Sequence, residues 1–380
     1  MKIVDVKTLV VGNPWKNWVF VKVLTDEGVH GVGEATGGLQ AMPIAEAVRE
    51  MRPLYLGRDP RNVADISDRM HKGLYLARTP AMAGIEIACW DILGKSLGVP
   101  VWQLLGGRLR TRVRAYANGW YTGPREPAAF ADRARQVVEL GYTALKFDPF
   151  GSAHGWLSVE DEQRSLEIVR AVREAVGDRV DLLIEAHDRF APAAAVRLGR
   201  ALAEFRPMWL ETPVFSSDVD ATLAVAGQIP VPVASGERLV EPEQFARLAA
   251  GKLVSILQPE VLKVGGIGPM MTIAAVAQAH HASIAPHCAQ SPLATVVNAH
   301  IDAVLPNFLI QETFDDFVVP WAREILTGCA EIRDGHITVS EAPGLGVDLV
   351  DEEAARHPYN ETYFLRLFEP GWERRGTERA

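Results

Sequence analysis

Residues 181–187 read DLLIEAH, residues 208–213 read MWLETP and residues 231–237 read VPVASGE. Each is a short apolar run that ends in a glutamate, and Glu185, Glu211 and Glu237 stand 26 residues apart, one strand plus one crossover each. Working outward, the same rhythm recurs in 113–120 VRAYANGW, 144–150 ALKFDPF, 255–260 SILQPE, 283–288 SIAPHC and 307–313 NFLIQET. Between the runs lie stretches such as 159–178 VEDEQRSLEIVRAVREAVGD and 192–205 PAAAVRLGRALAEF, with apolar residues three and four apart as a half-buried helix requires. Eight strands with helical crossovers of this length predict an α/β chain, a modified (β/α)8 TIM-like barrel over residues 113–320. The rival, an open doubly wound sheet, calls for a glycine-rich phosphate loop after the first strand, and none follows ANGW.

Residues 1–112 predict an α+β capping domain. KIVDVKTLVV and WVFVKVLTDEGVHGVGEAT read as strands, and PAMAGIEIACWDILGKSLG as a helix with Ile85, Cys89, Ile92 and Leu93 on one face, stopped at Gly98-Val99-Pro100. Residues 321–380 break into turns and short strands and are expected to return to the cap. The 380 residues, 48% hydrophobic and 23% charged, can bury a large core. A net charge of −9 argues against a nucleic-acid partner. No apolar run approaches the roughly 18 residues of a membrane span. Cys89, Cys288 and Cys329 form no CxxC pair, which excludes a disulfide framework, and the start MKIVDVKTLVVGNPW is broken by Asp5 and Lys7, so a cytoplasmic location is expected.

Catalytic side chains of a barrel come from the carboxyl ends of its strands. Those ends carry Asp148, Glu185 with His187, Glu211, Glu237, Glu260, His287 and Glu312. Three carboxylates converging on one mouth repel unless a hard cation neutralises them, and oxygen-only ligands suit Mg²⁺. Ion pairing of single glutamates with helix arginines is the plainer alternative. His187 lies two residues beyond Glu185, so strand alternation puts both on one face. Glu260 can accept from the His287 ring and make it a general base; its alternative is a helix-capping carboxylate before Gly265-Gly266. Asp148 is the weakest of the set, because it precedes Pro149 and reads more readily as a turn former. With a cation at a substrate carboxylate, His287 could remove the α-proton and His187 could protonate a departing β-hydroxyl. Glu312, protonated through burial among anions, could donate to a carboxylate oxygen.

The segments LKFDPF, IEAHDRF, WLETPV, ASGERL, LQPEVLKVGGI, IAPHC and LIQET, in this order and spacing, resemble the enolase superfamily, and within it the mandelate racemase-like group of galactonate- and gluconate-type acid-sugar dehydratases. The resemblance covers nearly the whole chain. It implies Glu185, Glu211 and Glu237 as Mg²⁺ ligands, His287 with Glu260 as the dyad, His187 as the acid and Glu312 as the carboxylate partner. Racemases and cycloisomerases of the group carry Lys-x-Lys on the second barrel strand; here Lys146-Phe147-Asp148 lacks the second lysine, leaving Lys146 and Asp148 as candidate catalytic residues on a strand that favours dehydration. Glu260 and Glu185 also stand where the group often has Asp. In this family cap loops close over the barrel, which marks Trp15, Lys16, Asn17 and the stretch around His71 to Arg78 as candidate substrate contacts, although Trp15 and Trp18 serve equally as packing. Asn118 and Tyr121 could touch sugar hydroxyls. The expected reaction is dehydration of an acid sugar (an aldonate) to a 2-keto-3-deoxy acid. The alternative is an epimerase or cycloisomerase using the same enediolate. A silent ligand-binding barrel has no need of the converging carboxylates, and a zinc hydrolase would place His-x-His on its first strand. A homo-oligomer, dimer or octamer, is expected.

Overall fold

The computed structural model describes residues 1–38, 40–74, 79–363 and 366–372. Strands β1 (Ile3–Val11), β2 (Trp18–Thr25) and β3 (His30–Glu34) form an antiparallel meander, turned at Asp26–Gly28 as the DEG triplet suggests. Helices α1 (Ala41–Met51), α2 (Val63–Leu74) and α3 (Pro80–Leu97) complete the cap. Thr79 caps the start of α3 by accepting from Met82 N–H, and Gly98 ends it in the left-handed conformation that glycine adopts without strain. The expectation of a single apolar face on α3 does not hold. It is buried almost all round, because β3 covers one side and the barrel the other. Gly31 and Gly33 make that approach possible: a Cβ would sit 2.0 Å from Ala88 O and 2.1 Å from Gly84 O respectively.

The barrel strands are β4 (Arg112–Ala117), β5 (Ala144–Phe147), β6 (Asp181–Glu185), β7 (Trp209–Glu211), β8 (Val233–Ser235), β9 (Ile256–Leu257), β10 (Ser283–Ile284) and β11 (Gln311–Thr313). β4 to β10 lie side by side in parallel, and β11 pairs with β4 through Glu312 and Tyr116. A parallel bridge between Ile284 and Phe308 closes the ring. All eight predicted runs are thus barrel strands. Tyr116, Ala144, Leu183, Trp209, Ala234, Ile256, Ala285 and Ile310 plug the interior, with Tyr116 edge-on to Trp209 at 5.6 Å.

Helices follow β4 to β10, but β11 leads directly into the short strands of the tail, with only the four-residue helix Asp351–Ala354 beyond them among the described residues, which is the modification of the eightfold pattern. Strands β12 (Leu326–Thr327) and β15 (Asp348–Leu349) pair with each other. The hairpin β13 (Ile332–Arg333) and β14 (His336–Thr338) adds antiparallel to β4. The tail therefore extends the barrel sheet as well as returning to the cap, where Leu345 N–H donates to Asp91 and Gly12 N–H to His357 O.

Two glutamates dock the cap on the barrel. Glu86 of α3 accepts from Ile267 and Gly268 N–H, the first turn of the helix after β9, and from Trp90 Nε1. Glu34 of β3 accepts from Ser291 N–H, the Ser291 hydroxyl and Ala294 N–H, at the first turn of the helix after β10. Each places carboxyl oxygens at the start of a helix in another domain and satisfies N–H donors the helix cannot satisfy itself. Gly266 is required beside Glu86: its φ is +115°, and a Cβ would meet the carboxylate at 2.2 Å.

Burial outweighs the Ser291 and Thr36 hydrogen bonds and pushes the Glu34 carboxyl up to about 7. A folded-state value above the unfolded one means that stability is lost as pH rises from about 4.5 to about 7 and is flat above that. Over that window the wild type should lose about 3 kcal/mol more than Glu34→Gln in urea unfolding; equal pH profiles for the two would contradict it.

Candidate active site

The mouth of the barrel is built from strand ends and the turns beyond them. Glu185 and Glu211 are register partners on β6 and β7, so their side chains point the same way. Glu237 follows β8 after the Gly236 turn. The oxygens of these three buried carboxylates lie within 4.8 Å of one another. Thr212 Oγ1 and His187 N–H donate to Glu185 Oε1 at 2.8 and 2.7 Å, while its buried Oε2 accepts no hydrogen bond and faces Lys146 Nζ at 3.1 Å. Trp209 Nε1 donates to Glu211 Oε2 at 2.8 Å. A trio of hard oxygen donors this close, with one oxygen unsatisfied, fits a divalent cation. The repulsion is visible in the acidities: burial and the neighbouring Glu185 hold the Glu211 carboxyl well above the usual range.

Lys146 on β5 is buried and donates into this cluster. Its Nζ lies 2.6 Å from Glu211, 2.8 Å from Glu312 and 3.1 Å from Glu185. Burial alone would lower its pKa, but Glu211 and Glu312 raise it well above the ordinary value, so it is a fixed cation. The protonated Glu312 expected from the sequence is not found. Burial pushes its carboxyl up, yet Lys146 and His287 pull it below the usual range, and Asn118 Nδ2 and Cys288 N–H donate to it at 2.7 Å.

His287 and His187 each sit on a carboxylate. His287 Nδ1 is 2.8 Å from Glu260 Oε2, leaving Nε2 toward the mouth, 3.4 Å from Glu237. Glu260 is no helix cap: Lys263 Nζ at 2.8 Å and Gln290 Nε2 at 2.9 Å hold its extra methylene in place. Burial raises the Glu260 carboxyl, but Lys263 and His287 bring it below the usual range. His187 Nδ1 is 2.6 Å from Asp148 Oδ2, and Arg189 pairs with the other oxygen. Asp148 also accepts from Phe150 N–H, so it is both turn former and histidine partner. Although burial opposes it, Glu185 and Asp148 raise the pKa of His187. The strand-alternation argument for His187 was the wrong reason: β6 ends at Glu185, and His187 and Asp188 have φ of 50° and 61°. A left-handed turn brings the ring to the mouth.

The two histidines open on one cavity of about 160 Å³ with Trp15, Lys16, Asn118, Tyr121, Lys146, Glu185, Glu237, Arg238, Lys263, Gln290, Phe314 and Leu367 on its walls. Trp15 packs edge-on against Phe314 at 4.8 Å, and Lys16 Nζ reaches Gln290 at 3.3 Å. Asn17 is not in this cavity: its side chain clamps the tail, bonding Asn360 N–H and O and Tyr363 O. Asn118 lines the wall, but its amide is spent on Glu312. Trp18 is core, against Phe20 and Trp321. The stretch around His71 to Arg78 lies outside the described residues. Lys263, Gln290, Arg189, Arg238, Phe314 and Leu367 went unread in the sequence; all but Leu367 lie within three residues of a site carboxylate or histidine, which was their local signal.

Comparison with known proteins agrees with this geometry. Residues 129–354 match the enolase C-terminal domain-like family, and residues 6–106 match the mandelate racemase / muconate lactonizing enzyme N-terminal domain. The chain is 35% identical to the D-gluconate/D-galactonate dehydratase of Picrophilus torridus, covering 96% of this chain and 95% of that protein. It is 34% identical to the D-xylonate dehydratase of Haloferax volcanii, covering 96% and 90%. Among solved structures, a mandelate racemase/muconate lactonizing enzyme from Sulfitobacter sp. superposes with a TM-score of 0.87 at 36% identity, over 95% of this chain and 96% of that one. The barrel, its carboxylate trio and these matches together make the chain an enzyme of the lyase class that belongs to the enolase superfamily, in its mandelate racemase/muconate lactonizing enzyme group.

Proposed function

We propose that the chain dehydrates an aldonate of the gluconate, galactonate or xylonate type to the 2-keto-3-deoxy acid, with Mg²⁺ held by Glu185, Glu211 and Glu237. The observation that carries the reading is the pairing of His287 with Glu260 and of His187 with Asp148 on one cavity. The relatives named as dehydratases of these three acids support the substrate class. Bound there, the cation supplies positive charge against which the substrate carboxylate gains electron density when the C2 proton leaves.

The protein's own groups do the proton work. His287 Nε2, free because Nδ1 is held by Glu260, takes the C2 proton, and the electron pair moves into the carboxylate. Lys146 and Asn118 hold Glu312 ionised and in place beside this end of the cavity. The electron pair then returns to form the C2–C3 double bond as the C3 hydroxyl leaves with a proton from His187, giving water. Asp148 at Nδ1 directs the Nε2 proton of His187 toward the substrate. The enol takes a proton at C3 to become the keto acid. Racemisation or cycloisomerisation would call for the second lysine of Lys-x-Lys, and Asp148 in that place holds His187 as a donor instead.

With D-gluconate, D-galactonate or D-xylonate in D₂O, His287→Asn should abolish both C2 exchange and dehydration, each by about 10²–10⁴-fold. His187→Asn should lose dehydration alone and keep exchange at C2, as followed by proton NMR; a variant that keeps dehydration would remove His187 from the acid role. Chelation followed by titration with Mg²⁺ should restore activity and raise Tm, by about 2.7 kcal/mol of stability at a hundred times Kd. Glu237→Gln should blunt that rise.

A further inference from the structure

The geometry points to the carboxy-terminal segment 366–372 as a wall of the active site, with Phe368 and Trp372 as positioning residues that hold the His187 imidazole toward the substrate. The inference rests on the dehydration reading above. His187 stands in a left-handed turn beyond the end of β6, so no neighbouring strand fixes its ring. Asp148 holds Nδ1 at 2.6 Å, which pins one atom but leaves the ring plane free to swing about that bond. Two aromatic rings of the tail remove that freedom. Phe368 meets the imidazole at 6.1 Å and 67°, and Trp372 at 6.0 Å and 89°, both edge-to-face.

Both rings are themselves held. Arg189, whose guanidinium also pairs with Asp148, lies over Phe368 at 4.7 Å, and His154 packs on it at 6.3 Å. Trp372 is buried, donates from Nε1 to Gly151 O at 3.0 Å and meets Tyr121 at 6.3 Å. Leu367, between the anchors, lines the catalytic cavity itself. Upstream, Asn17 fastens Asn360 and Tyr363 beside the Trp15–Lys16 wall. The tail is thus held on the cap side of the mouth at Asn360 and Tyr363 and on the side of the acid at Phe368 and Trp372.

An enediolate formed by His287 has two fates: loss of the C3 hydroxyl, which needs His187 in line, or reprotonation at C2, which does not. Loosening the strap should therefore shift the partition rather than the first step. The test incubates the full chain with Mg²⁺ and D-gluconate, D-galactonate or D-xylonate in D₂O and compares C2 deuteration with keto-acid formation. Trp372→Ala and Phe368→Leu should each raise the ratio of exchange to dehydration about tenfold or more, with Tm near the wild type. Trp372→Phe should recover most of the loss. Should Trp372→Ala fail to fold, Phe368→Leu, altering a half-buried ring, carries the test. Exchange and dehydration falling in parallel, or an unchanged ratio in a variant that still dehydrates, would overturn the strap alone. A wild type that dehydrates none of the three acids would overturn the dehydration reading and the strap with it.

Discussion

Lys146 paired with three buried carboxylates is the contact around which the site is organised. A barrel mouth that buries Glu185, Glu211 and Glu312 together faces a desolvation cost that only opposite charge and hydrogen bonds can offset. Lys146 supplies one charge at the centre, and the trio of Glu185, Glu211 and Glu237 leaves room for a divalent cation to supply two more. Every other carboxylate at the mouth has its own cation or donor: Glu260 has Lys263, Asp148 has Arg189, and Glu312 has Asn118 and the Cys288 amide. His187 takes the second oxygen of Asp148 and His287 shares Oε2 of Glu260 with Lys263, and these contacts at Nδ1 aim the other ring nitrogens at the cavity.

The same logic joins the domains. Glu34 and Glu86 are buried side chains whose carboxyl oxygens accept from the N-terminal turns of two barrel helices, the helices that follow the strands leading to His287 and Glu260. Cap docking and dyad placement therefore share a foundation, since the loop carrying His287 and Gln290 runs directly into the turn that Glu34 holds. The tail adds a third tie, through Asn17, Asp91 and the edge-on contact of Trp18 with Trp321 at 5.8 Å.

Much of this was legible in the chain itself. A strand ending in a carboxylate, repeated at one β/α unit, states both the barrel and its converging carboxylate trio, because register makes neighbouring strand ends converge. The dyad of His287 and Glu260 followed from the same register. What local pattern misread were positions whose partners come from far away in sequence. Asn17, next to Lys16, suggested a substrate contact, but Asn360 and Tyr363 claim it. Glu312 suggested a protonated acid, but Lys146, from a strand far off in sequence, pairs with it and favours the ionised form. Ile85, Cys89, Ile92 and Leu93 suggested a one-sided helix, but α3 is sandwiched.

The sequence by itself determined the fold class, the order of the strands and which carboxylates and histidines crowd the mouth, since these follow from periodicity and spacing along one chain. Tertiary structure alone decided which oxygen each histidine holds, which carboxylates carry charge, and that the far end of the chain forms the wall beside His187. Those depend on Coulomb and packing partners within a few ångströms, and proximity between residues such as Gly151 and Trp372 is written in no local pattern.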